Sequence, residues 1–148
     1  MKYTSYQQGD SISLNGLKHH LRIADNSQDA DLEMLLKSAT IYVQEYFNKA
    51  LVACDVVQEQ PRAGADFSIF LSNQTNIQVK DYDGKAVAFS RSGDFLTLAE
   101  SAAVKISYSC EPEDNAEQYA LIVYQVAAAN YDGQPEMISK ILSNYPVC

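Results

Sequence analysis

The sequence predicts an α+β protein whose helices frame a small inserted antiparallel sheet. Three observations carry that expectation. Apolar positions from Leu32 to Phe47 recur at threes and fours for about four turns, the period of a helix with one buried face. The stretch from Leu51 to Tyr108 changes to a two-residue alternation broken by Asp83-Gly84 and Ser92-Gly93, which are hairpin signals. From Ala116 to Tyr131 the helical period returns, now apolar nearly all round.

Taken in order, residues 1–11 are polar and without period, with Gln7-Gln8-Gly9-Asp10 among them, and read as a flexible arm. Residues 12–148 read as a single domain. Ser13 offers a helix cap, and Leu14, Leu17 and Leu21 fall on one face of a short helix over 13–22 that Gly16 weakens. Asp25, Asp29 and Asp31 precede the second helix, 28–48, at its positive dipole end, with Ser27 as the expected cap. Its core stripe is Leu35, Leu36, Ala39, Tyr42, Val43, Tyr46 and Phe47. The β lobe spans 51–109: an apolar run from Leu51 to Val57, a loop over Pro61–Ala65, then Phe67, Ile69 and Leu71. Ile77 and Val79 lead into the Asp83-Gly84 turn, with a return strand over Ala86–Phe89. Phe95–Leu98 follows the second turn, and Val104, Ile106 and Tyr108 alternate with polar residues, as a half-buried strand does. Glu111-Pro112-Glu113-Asp114-Asn115 then starts the helix over 116–131, and a last helix over 135–144 carries Met137, Ile138, Ile141 and Leu142.

Composition narrows the functional classes. The chain has 148 residues, 47% of them hydrophobic, which suits one folded domain and excludes a low-complexity or disordered chain. Nineteen acids against eleven bases give a net charge of −8 without any Lys/Arg cluster, so the gripping of nucleic-acid phosphates is not expected. No apolar run is long enough for a membrane span, and the opening Met1-Lys2-Tyr3-Thr4-Ser5 lacks a signal-peptide core, so no membrane partner or export is expected.

The motifs for chemistry fail one by one. Cys54, Cys110 and Cys148 are widely spaced and odd in number; the first two read as buried small hydrophobes and the third as an exposed thiol. Asp25, Asp29 and Asp31 approach the spacing of a calcium loop, but Ala30 and Leu36 stand where glycine and glutamate are needed. His19 and His20 are adjacent on a helix and diverge by about 100°, so they cannot close on one metal. Six scattered glycines make no phosphate loop, and Asn73-Gln74-Thr75 is a glycosylation acceptor only in an exported chain. No catalytic, cofactor or metal residue is assigned. A small enzyme using Cys54 or Cys110 is the weakest reading, and a monomeric or dimeric binding module with its site on the β lobe is the stronger alternative.

The helix over 116–131 has Tyr119, Ile122, Val123, Val126 and Ala127 on one face, and Ala120, Leu121, Tyr124 and Ala128 opposite. Such a helix needs cover on more than one side, and in a short chain a neighbouring subunit can supply it. Tyr119, Leu121, Tyr124 and Ala128 are therefore the candidate subunit interface, with Tyr124 as an intersubunit contact; Tyr42 is assigned to the core.

Several of these pieces, in this order, resemble the head-tail connector family of tailed phages. They are Leu14-Asn15-Gly16-Leu17-Lys18-His19-His20-Leu21-Arg22, an acidic link, and Ala39-Thr40-Ile41-Tyr42-Val43-Gln44-Glu45-Tyr46 leading to Ala50-Leu51. Tyr82-Asp83-Gly84, Val104-Lys105-Ile106-Ser107-Tyr108 and an Ala-rich helix reaching Asn130-Tyr131 complete the match over residues 12–145. The chain departs from the family where Gly-Tyr is common after the closing strand, having Cys110-Glu111, and where Trp is common before the helix-ending tyrosine, having Ala129-Asn130.

The resemblance implies a non-enzymatic structural protein of a phage or prophage, assembled in the bacterial cytoplasm and resident in the virion neck. Its helical part would form a closed ring of about twelve copies beneath the portal protein, joined below to a tail-completion or stopper protein. Packaged DNA would pass through the ring without sequence-specific binding. Glu111, Glu113, Asp114 and Glu117 are then candidates for an acidic channel lining, with an exposed helix-capping loop as the plainer alternative.

Overall fold

The computed structural model describes residues 1–7, 9 and 11–145; Cys148 lies outside them. The helical layer contains α1 (Leu14–Leu21), α2 (Asp29–Phe47), α3 (Ala120–Tyr131) and α4 (Ile138–Ser143). Strands β1 (Lys2–Tyr6), β2 (Cys54–Ser68), β3 (Gln74–Asp81), β4 (Phe89–Ser92) and β5 (Phe95–Cys110) form one antiparallel sheet in the order β1-β2-β5-β3, with β4 also on β5. Each layer has its own core. Leu17, Leu32, Leu36, Val43, Phe47, Ile122, Val123 and Val126 pack among the helices. Val56, Ile69, Val79, Leu96, Val104, Ile106 and Tyr108 pack on the sheet.

Local chemistry sets the helix ends. The Ser13 hydroxyl accepts from Gly16 N at 3.0 Å, capping α1 as expected. Arg22 ends α1 in the left-handed region, φ 59°, and Asn48 ends α2 likewise at φ 55°. Ser27 is not the cap of α2: Gln28 stands there without a side-chain cap bond, and Ser27 instead donates both its N–H and its hydroxyl to Asp25 Oδ1. Lys18, buried at the end of α1, donates to Asn26 Oδ1 and Asp29 Oδ1 at 2.7 and 2.9 Å, which binds α1 to the start of α2.

The core stripe of α2 is turned from the expected one. Thr40 and Gln44 are fully buried, whereas Tyr42 and Tyr46 face outward. Both polar side chains have a use inside. Thr40 Oγ1 donates to Leu36 O, and Gln44 Oε1 accepts from Leu51 N and Val52 N at 2.7 and 3.1 Å. Gln44 thus satisfies the buried backbone where the chain leaves the helical layer for the sheet, a role no apolar residue can fill. Asn48 Oδ1 accepts from Leu71 N at 2.6 Å, and Ser72 Oγ from Ala50 N at 2.9 Å, so three polar side chains hold the junction.

The lobe differs from expectation in three places. Residues 2–6 are not a free arm: they form β1 on the edge of β2, with a register shift between Tyr3 and Ser5. The Tyr3 and Tyr6 hydroxyls are buried toward Gln44 and Thr40 without a well-formed hydrogen bond among the described residues, and burial raises both phenol pKa values. Pro61–Ala65 is not a loop but the bulged middle of β2, where irregular register absorbs the proline. The run Ala86–Phe89 is not a continuous strand: Ala86 bridges Lys80, Val87 N donates to Val79 O, and Ala88 O accepts from Ala99 N before β4 begins at Phe89.

The Asp83-Gly84 turn forms as read. Gly84 adopts φ 87°, and Asp81 Oδ1 accepts from Asp83 N and Lys85 N. Gly93, φ 60°, turns β4 into β5. Asp55 accepts from the hydroxyls of Ser5 and Ser109, stitching β1 and β5 to β2, and those bonds hold its carboxyl below the usual range.

Candidate subunit interface

Helix α3 contacts α2, α1 and α4, so much of the second cover its sequence demands comes from within the chain. Tyr124 illustrates this. Its hydroxyl accepts from Ser13 N at 3.1 Å and lies against the bare Cα of Gly16, and its ring is 6.1 Å from that of His20. Within the chain Tyr124 docks α1 to α3, because Gly16 leaves room for a phenol where any side chain would stand. Tyr119 is half-buried, its ring set edge-on against Phe47 at 5.2 Å. Ala128 is half-buried as well. Leu121 alone of the four is open, 51% exposed on the outer side of α3.

A second apolar surface lies on α2, where Met34 is 70% and Tyr42 50% exposed, with Tyr46 beside Phe47 at 4.9 Å. The three- and four-residue spacing places Tyr42 and Tyr46 in the core stripe, whereas both are exposed, and Met34 lies outside that stripe. The lobe contributes Phe95, 62% exposed next to the Gly93-Asp94 turn, and Phe70, which follows the Ile69 N–Asp94 O hydrogen bond.

The acidic residues lie on the segment joining β5 to a 3-10 turn, Ala116–Tyr119, that leads into α3. Glu111, Asp114 and Glu117 are exposed. Glu113 is half-buried; its N–H donates to Ala50 O at 2.9 Å and its carboxylate is 4.0 Å from Lys49 Nζ. With Gln7, Ser11, Leu51 and Val52 they line an open hollow of about 310 Å³. Among the described residues no group of three or more His, Cys, Asp or Glu is placed to hold a metal ion. His19 and His20 are both exposed on α1, whereas Cys54 and Cys110 are buried in the sheet core, so the geometry forms no Cys–His dyad.

An open antiparallel sheet stands beside a helical layer, and large apolar residues are exposed on α2, α3 and the lobe. A profile of the phage gp6-like head-tail connector proteins matches residues 11–145. The chain belongs to that family. No curated protein matches the connector in sequence. Among solved structures it is similar to a chain described as "Neck of empty GTA particle computed with C6 symmetry", at 16% identity, covering 88% of this chain and 83% of that one with a TM-score of 0.58. It is also similar to a chain of "Virion of native gene transfer agent (GTA) particle", at 16% identity over 99% of this chain and 95% of that one, TM-score 0.61. At that identity the likeness bears on the fold, which is α+β in this chain as the sequence predicts.

Proposed function

We propose that the connector is a structural subunit of the neck of a tailed phage or prophage particle, packing side by side with copies of itself into a closed ring that joins head to tail. The observation that carries this reading is the family match over 11–145. A closed ring needs two different surfaces on each subunit to meet. The outer side of α2, with Met34 and Tyr42, and Leu121 of α3 supply two such surfaces. The ring would hold about twelve copies related by cyclic symmetry. The portal protein above and a tail-completion protein below are its expected neighbours. No catalytic step belongs to this function.

Leu121→Asp tests the interface. A charge on an exposed helical position changes folding stability by roughly 0.5 kcal/mol or less, so the variant melts like the parent. Mixed with its portal protein, the parent forms rings by negative stain and light scattering, and the variant gives markedly fewer. A parent that stays monomeric and indifferent to the portal overturns the reading and favours a binding module.

The acidic segment is proposed to face the DNA path, where negative charge keeps DNA from adhering over a screening length of about 10 Å at 0.1 M salt. Reversing Glu111, Asp114 and Glu117 to lysine is expected to reduce infectivity through DNA that sticks in the channel, while rings still form. Unchanged infectivity and DNA retention refute the lining.

A further inference from the structure

Cys54 and Cys110 are direct cross-strand partners in the β2–β5 ladder, both buried and both free. Partners in an antiparallel pair point to the same face with Cα atoms about 4.5–5.5 Å apart. A disulfide spans Cα separations of about 4.4–6.8 Å. The backbone separation of this pair therefore falls within the range a disulfide spans. Their place in the chain matters as much. Cys54 opens β2 as the chain enters the lobe, and Cys110 closes β5 as it leaves. Both residues border a hollow of about 170 Å³ that Ser5, Gln7, Asp55, Asn76 and Ser109 also line, while their side chains belong to the sheet core.

We propose that Cys54 and Cys110 are a redox site: on meeting a peroxide they join in a disulfide that ties the two strands at the root of the β lobe. The bond closes the whole lobe into a covalent loop of roughly 60 residues, a length at which cross-linking strongly restricts the unfolded chain. Interaction with its partner thiol lowers the Cys54 pKa, while the same interaction and burial raise that of Cys110. Cys54 is accordingly the attacking thiolate. Its sulfur takes one peroxide oxygen as the O–O bond breaks, and hydroxide leaves and is protonated to water. The Cys110 sulfur then displaces the oxygen of that sulfenic acid, the S–O bond breaks, and the oxygen leaves as a second water with the Cys110 proton. Two thiols and one peroxide give one disulfide and two waters. Cytosolic thiols keep such a pair reduced, and conditions outside a cell oxidise it, so a particle component meets both states. The site stands on the ladder geometry and does not depend on the connector function.

The test uses the full chain carrying Cys148→Ser, so that the pair supplies the only thiols. Folded protein is treated with hydrogen peroxide and read by intact mass, peptide mapping and thermal melting. The expected result is a loss of about 2 Da in a monomer, a peptide linking Cys54 to Cys110, and a melting midpoint raised by roughly 10 °C that falls back with dithiothreitol. A further Cys110→Ser change should instead leave Cys54 with an added oxygen of about 16 Da and no rise in midpoint. If that variant does not fold, the mass and midpoint of the two-thiol protein still decide. Two thiols surviving peroxide in the folded chain, oxygen adducts without the mass loss, cross-links between chains, or a bond formed only in denaturant would each overturn the proposal.

Discussion

Replacing Gln44 with leucine is expected to remove about 2–4 kcal/mol of stability, lowering the thermal midpoint by roughly 5–15 °C. The side chain is fully buried, and its Oε1 is the acceptor for both Leu51 N and Val52 N. Leucine fills the space but leaves two buried donors bare, at about 1–3 kcal/mol each. Part is recovered, because Gln44 Nε2 has no partner among the described residues and its removal relieves one unsatisfied donor. Amide hydrogen exchange at Leu51 and Val52 should accelerate more than at the centre of β5. A loss below about 1 kcal/mol would mean that packing, and not these two bonds, holds the helix–sheet junction.

Gly16→Ala is expected to destabilise by about 2 kcal/mol, against the sign that helix propensity alone gives. Alanine in an exposed helix is better than glycine by roughly 1 kcal/mol. Here a methyl group at Gly16 would collide with the Tyr124 hydroxyl and come within 2.7 Å of Cζ, pushing the ring off its bond to Ser13 N. The same change in a Tyr124→Ala background should stabilise, since the obstacle is gone and only the propensity gain is left. That reversal, read from two pairs of melting curves, isolates the Gly16–Tyr124 contact. Equal effects in both backgrounds would show that α1 and α3 do not meet at this point.

Where the sequence could be read, the signals were local ones. Ser13 with Leu14, Leu17 and Leu21, the Asp83-Gly84 turn and the Ser92-Gly93 turn each specify their backbone within a few residues. The misreadings trace to distant partners. The register shift after Tyr3 puts the half-buried Tyr3 and Tyr6 three residues apart, which hides the two-residue alternation of β1. Thr40 and Gln44 look like solvent residues until Leu36 O and the Leu51–Val52 backbone are beside them, and they turn the stripe of α2 so that Tyr42 faces out. At the candidate interface, hydropathy picks Leu121 and Tyr124 alike. Only the glycine in α1, more than a hundred positions upstream of Tyr124, explains why one turns inward and the other stays open.

The lobe enters at Cys54 and leaves at Cys110, neighbours on adjacent strands. Adjacent strands lie about 4.8 Å apart, so the helices experience the intervening chain as little more than a tight turn. Selection can therefore lengthen, trim or exchange that excursion as a unit while the helical layer keeps its own core. A descendant with a reshaped lobe inherits the same scaffold, and new partners can be recruited on one side of the molecule without renegotiating contacts on the other.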